Sequence, residues 1–195
     1  ATTGSINDAG DDTTTDFTAG GLITLTAQDE IGGSAAAMVT DTAGAIEFAS
    51  GSSVDVSSTS AGAIVLSGAG ALTLSDVDTV DGAITVTSAG NLVATAVDAA
   101  DAGADATHAV SLTASSGDIT IGAITSDSTL TLTATAGSIN DAGDDTTTDL
   151  TSTTNAIVLT AQDEIGGSAA AMVTDTAGAI EVAGGSALDV SSTSA

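Results

Sequence analysis

The chain has 195 residues and a formal net charge of −26, with no Lys, Arg, Cys or Pro and a single His. That balance excludes nucleic acid as a partner, because phosphate recognition needs Lys and Arg, and it excludes disulfide stapling. The hydrophobic share of 42%, in ordered alternation, excludes the disorder that an acidic, aromatic-poor chain otherwise signals.

In chain order, the first feature is an acidic block from Gly4 to Asp16, carrying Asn7, Asp8, Asp11, Asp12 and Asp16. A second block follows from Ala27 to Glu47. Its Ser34 to Val39 stretch is the best candidate for a helical turn, and it is short and Gly-flanked. Short alternating triplets then recur: Ile46-Glu47-Phe48, Ile64-Val65-Leu66, Ile84-Thr85-Val86, Val110-Ser111-Leu112, Leu130-Thr131-Leu132, Ile157-Val158-Leu159 and Ile180-Glu181-Val182. Period-2 alternation of β-branched and apolar residues predicts strands with one face inward. A second short strand follows most triplets eight or nine residues later, at Val54–Val56, Leu72–Leu74, Leu92, Ile119–Ile121, Ile139 and Ile165.

The first block returns unchanged as Gly137 to Asp149, an offset of 133, bringing Asn140, Asp141, Asp144, Asp145 and Asp149. The second returns as Ala161 to Glu181, an offset of 134. Residues 1–61 and 135–195 are therefore equivalent parts of a tandem unit of about 134 residues, and the chain reads as a window on a longer array. The triplets start 18, 20, 26, 20, 27 and 23 residues apart, which together make 134. Strand, turn, strand, turn at about 20–22 residues per rung predicts an all-β parallel solenoid running through residues 1–195. Counting each triplet as one rung gives about six rungs per unit, about 29 Å at 4.8 Å per rung. The absence of Pro agrees with every rung donating its N–H groups to the next.

Gly4-Ser5-Ile6-Asn7-Asp8-Ala9-Gly10, Leu159-Thr160-Ala161-Gln162-Asp163-Glu164-Ile165-Gly166-Gly167 and the strand-Gly-strand rungs resemble the repeat regions of filamentous-haemagglutinin-type exoproteins and giant bacterial adhesins. The resemblance implies a right-handed β-helical shaft, secretion, an extracellular or cell-surface location and no catalytic residues.

Three acidic clusters are candidate calcium sites, since calcium takes six to eight oxygen ligands and no internal Lys or Arg neutralises them. They are the Asn7–Asp16 block with its copy Asn140–Asp149, the Asp76, Asp78, Asp81 segment, and Asp98, Asp101 and Asp105 in an inserted loop. The competing reading is solvated turns, which Asp, Asn and Gly favour in any case. The copy Asn140–Asp149 and the Asp98–Asp105 loop both follow a second strand. They are expected to leave the same corner two rungs apart, about 10 Å. His108 beside Asp105 has the elements of a general base, but a surface-loop histidine is the simpler reading. No nucleophile motif or phosphate loop is present. A glycosidase-type carboxylate pair is disfavoured by the identical copies and the lack of aromatic sugar platforms. Thr-x-Thr rows resemble those of ice-binding β-helices, but Glu47, Ser111 and Val158 break the columns.

The sequence thus points to a non-enzymatic rod, a segment of an extracellular fibre or adhesin shaft. Its expected partners are neighbouring repeats or copies, stacked end to end or bundled, and cell-surface or matrix ligands. No apolar run approaches the roughly 18–20 residues of a membrane span. The alternative function is a ligand-binding adhesin module that uses the Asp-rich loops.

Overall fold

A computed structural model describes residues 1–8, 13–32, 44–100, 108–142, 147–153, 155–166, 180, 182–183 and 187–193. Among these the chain is all β, with no helix and hence none long and apolar enough to cross a membrane. Ser34 to Val39 lies outside the described residues.

Two seven-stranded sheets face each other. Sheet I holds β1 (Leu22–Ala27), β3 (Ser52–Ala61), β5 (Leu72–Asp81), β7 (Leu92–Ala99), β9 (Ile119–Ser126), β11 (Ile139–Asp141) and β12 (Leu150–Ser152). Sheet II holds β2 (Ile46–Phe48), β4 (Ile64–Gly68), β6 (Ile84–Ser88), β8 (Val110–Ala114), β10 (Leu130–Ala134), β13 (Ile157–Ala161) and β14 (Leu188–Ser192). All strand pairs are parallel, and the chain alternates between sheets half-turn by half-turn. This is the expected solenoid.

The period-2 pattern decides which atoms meet. In sheet II the columns Ile64, Ile84, Val110, Leu130, Ile157 and Leu66, Val86, Leu112, Leu132, Leu159 all point inward and are buried. Sheet I answers with Leu72, Leu92, Ile119 and Ile139. Aliphatic side chains stacked on like neighbours leave few gaps and need no large aromatics. The two Phe side chains stack on each other, Phe17 over Phe48 at 5.8 Å between ring centroids.

Sheet I carries a bend that sheet II lacks. Ser75-Asp76 in β5, Thr95-Ala96 in β7 and Gly122-Ala123 in β9 are consecutive pairs with neither residue buried. β3 lacks the extra residue, so its pairing with β5 shifts register between Val54 and Asp55. A bulge of this kind kinks the strand and turns its second half around the core.

The acidic insertions do not share a corner. β7 runs through the bend to Ala99 before its insertion begins, whereas β11 and β12 pair with the first and second halves of β9. The Asn140–Asp149 insertion therefore opens at the bend, inside a half-turn, because Leu150 resumes the column that Ile124 occupies one rung earlier. One triplet also departs from expectation. Ile46, Ile64, Ile84, Val110, Leu130 and Ile157 all lie in sheet II, but Val182 bridges Leu150 of sheet I.

Candidate functional site

Asp76 and Asp78 sit on a strand, not in a loop: Val77 between them is buried and its neighbours point outward. Asp98 is likewise on β7 and not in the inserted loop, and it stands in register with Asp78. Asp55, unremarked in the sequence, is in register with Asp76. The outward face of sheet I thus gathers Asp55, Asp76, Asp78 and Asp98 on adjacent rungs about 4.8 Å apart. Ser57 Oγ donates to Asp78 Oδ2 at 2.9 Å, and Asp98 Oδ1 accepts the Ala100 N–H at 2.9 Å.

Burial first, then the Asp78 and Asp55 carboxylates, push the Asp76 carboxyl above its ordinary value. A folded-state value above the unfolded one means that the folded chain holds this proton more tightly. The resulting stabilisation is present at low pH and is lost as pH rises through the folded value. At neutral pH the ionised Asp76 is therefore a cost, reduced by solvent and salt. Asp76→Asn is expected to raise the melting temperature by about 1–2 °C at pH 7. The gain should vanish below the ordinary carboxyl value of 3.8, which melting curves at pH 7 and pH 3 will check.

The other candidate ligands are scattered. Asn7 and Asp16 are exposed and Asp8 half-buried, and Asp16 Oδ2 accepts the Glu47 N–H at 3.0 Å. Asn140 points outward in the column of Thr120, while Asp141 takes the inward column of Ile121 and is buried, as is Asp149. Asp11, Asp12, Asp101, Asp105, Asp144 and Asp145 lie outside the described residues. Among the described residues no three carboxylate or imidazole side chains converge as a metal cage.

Asp81 belongs to a different device at the corner after each sheet I strand. A buried hydroxyl there clamps the backbone carbonyl of the preceding rung. Ser58 Oγ donates to Asp29 O (2.5 Å), Thr79 Oγ1 to Gly62 O (2.8 Å), Ser126 Oγ to His108 O (2.6 Å) and Ser152 Oγ to Ser128 O (2.7 Å). The register places Ala99 between Thr79 and Ser126 in this column, and Ala99 has no hydroxyl. His108 supplies the tie on that rung, its Nε2 lying 3.2 Å from Asp81 Oδ1. His108 is fully buried, which corrects the surface-loop expectation; Asp105 lies outside the described residues. Packing explains the lone His, since it replaces a missing clamp.

His108→Ala removes both the tie and a buried ring, and is expected to lower stability by about 2 kcal/mol, roughly 4–8 °C in melting temperature. Ala99→Ser places a hydroxyl one rung below Thr79, within reach of Gly82 O, and should restore part of that loss. Thermal melts of both single variants and the double variant will check this.

The opposite corner uses side-chain oxygens in the converse role, as acceptors of backbone N–H groups. Asn91 Oδ1 accepts the Asp118 N–H (3.2 Å), Asp118 Oδ1 the Ser138 N–H (2.9 Å) and Ser138 Oγ the Glu164 N–H (3.4 Å).

The outward face of sheet II is chemically the reverse of sheet I. From β4 to β13 it presents Val65, Thr85, Ser111, Thr131, Val158 in one column and Ser67, Thr87, Thr113, Thr133, Thr160 in the next. None of these ten carries charge, in a chain with 26 carboxylates. Ser111 and Val158 do interrupt the first column as expected, but the second is an unbroken ladder of hydroxyls. Glu47, the third expected interruption, stands in register with Ser67 at the end of the second column, outside this stretch.

No protein-family model matches the chain, and no curated protein or solved structure matches it.

Proposed function

We propose that the chain is a stretch of a stiff, right-handed, non-enzymatic β-solenoid shaft in an extracellular or cell-surface fibre of the filamentous-haemagglutinin-like or giant-adhesin kind. The observation that carries this reading is open-ended stacking. Among the described residues both sheets are parallel ladders without a closing strand, and the sequence unit that builds them repeats. Leu188 and Val190 show what a further rung does. They align with inward-facing Ile157 and Leu159 yet are 51% and 49% exposed, whereas their first-copy counterparts Val54 and Val56 are fully buried beside β5. A neighbouring repeat or a stacked copy covers them in a longer shaft. The right hand is what the resemblance implies, and the preference of parallel crossovers for that hand supports it.

The two faces divide the work. The acidic face keeps rods apart and in solution. The neutral hydroxyl face is where rods approach one another laterally, because nothing there needs neutralising. Calcium at the acidic face and insertions would relieve repulsion that no Lys or Arg offsets. Melting followed by circular dichroism in EDTA and in millimolar calcium tests this. A β-rich spectrum in both with a higher melting temperature in calcium is expected, and an unchanged midpoint removes calcium while leaving the rod.

The second reading, an adhesin module binding surface or matrix ligands, is favoured by one placement. The half-turn that carries the acidic block in each copy stacks directly on the next half-turn of the same side, Ile6 on Ile31 and Phe17 on Phe48, then Ile139 on Ile165 and Leu150 on Val182. Deleting residues 9–12 and 143–146 should abolish ligand capture under this reading and leave shaft assembly intact under the first.

A further inference from the structure

We propose that successive copies of the 134-residue unit are set half a turn apart about the rod axis, so that whatever one copy presents on one face the next presents on the opposite face. Every sequence-equivalent pair that the structure describes has changed sheets. β1 is in sheet I, and its counterpart β13 is in sheet II. β3 is in sheet I, and its counterpart β14 is in sheet II. Ile31 and Phe48 pair on the sheet II side, through Ile64 and as part of β2, while their counterparts Ile165 and Val182 pair with Ile139 and Leu150 of sheet I. Ile6 and Phe17 stack on Ile31 and Phe48, whereas Ile139 and Leu150 themselves belong to sheet I.

The count of half-turns gives the cause. The half-turn holding Ile6 and Phe17 is the first, and its sequence copy, β11 with β12, is the twelfth. Eleven crossings separate them, and an odd number ends on the other sheet. The unit therefore spans five and a half rungs, a rise of about 26 Å, and not the six rungs expected from the triplet spacing.

The fold tolerates the exchange because both sheets ask the same of a strand. Ile23, Leu25 and Ala27 fill inward positions of sheet I, and Ile157, Leu159 and Ala161 fill inward positions of sheet II equally well. In an array, the neutral hydroxyl block and the acidic block therefore trade sides with each copy. Both sides of the rod carry neutral blocks, spaced by two units along each side. The partner this pattern fits is a second copy of the chain on either side, giving flat multi-rod layers and not isolated pairs. That consequence rests on the shaft reading, whereas the half-turn itself does not.

The test uses cysteine pairs carrying pyrene in the present chain. Thr160 is in register with Thr133 on sheet II. If the unit spanned whole rungs, Thr160 would take the sheet I place of its counterpart Thr26, whose column runs through Ser57, Asp78, Asp98 and Thr125 to Thr151. Thr133→Cys with Thr160→Cys is expected to give strong excimer emission, comparable to the Thr87→Cys, Thr113→Cys reference pair within one copy. Thr151→Cys with Thr160→Cys should give monomer emission. The reverse pattern overturns the proposal, and so does excimer from neither test pair while the reference pair shows it. Excimer from Thr133 and Thr160 in a chain that never associates laterally upholds the half-turn and removes the bundling reading.

Discussion

Gly82→Ala is expected to lower the melting temperature by about 6–12 °C. A Cβ on Gly82 would sit 2.4 Å from Gly62 O and 2.6 Å from Gly62 C, both backbone atoms of the adjacent rung. Backbone cannot rotate away as the end of a side chain can. The two rungs would have to separate, at the place where Gly62 N donates to Asp81 O and Ile64 N to Ala83 O. Overpacking a rigid site costs about 1–3 kcal/mol, and this contact belongs at the upper end. At 2–4 °C per kcal/mol for a chain of this size, that is the quoted fall. Gly21→Ala is the control, since nothing lies within 4 Å of its added Cβ, and its midpoint should move by about a degree at most. Calorimetry of both variants checks the pair.

Leu112→Asp and Thr113→Asp change neighbouring residues and should have opposite consequences. Leu112 is fully buried between Val86 and Leu132. A carboxylate there has no partner, and burying it costs more than about 4 kcal/mol. Each rung is held only by its neighbours, so loss of β8 uncouples the ladder on either side. Expected results are a marked loss of β signal at 25 °C or a midpoint lowered by more than about 10 °C. Thr113 points outward between Thr87 and Thr133. Its replacement by Asp should cost less than about 1 kcal/mol but place a charge in the middle of the neutral ladder. Thr113→Asp should therefore melt nearly as the parent does while reducing lateral association seen by light scattering. Circular dichroism with static light scattering on both variants separates the inward and outward roles directly.

These cases also show where the sequence was legible and where it was not. Ile64-Val65-Leu66 and its fellow triplets announce strands because alternation is a local property, and the buried columns of sheet II lie where that alternation put them. Register between rungs is not local. The Asp55, Asp76 and Asp78, Asp98 alignment depends on a bulge at Ser75-Asp76 that no motif marks, so Asp98 looked like part of a loop and Asp55 went unnoticed. His108 looked like a surface residue because its burial depends on Ala99, which lacks a hydroxyl one rung away from Thr79. The Ile157 to Ile180 interval of 23 residues looked like one rung because a full rung and a half-turn with an insertion have similar lengths. The pairings of Ile165 with Ile139 and of Val182 with Leu150 distinguish them. Of the candidate ligands, the structure brings Asp76, Asp78 and Asp98 together on one face and assigns Asp81 to the corner tie with His108.

The most direct test of the central claim is the length of tandem chains holding one, two and three copies of the 134-residue unit, measured by small-angle X-ray scattering. A solenoid shaft predicts an increment of about 26 Å per copy with a constant cross-section. A maximum dimension that grows only as a compact globule does, with a cross-section that widens with each copy, would contradict it.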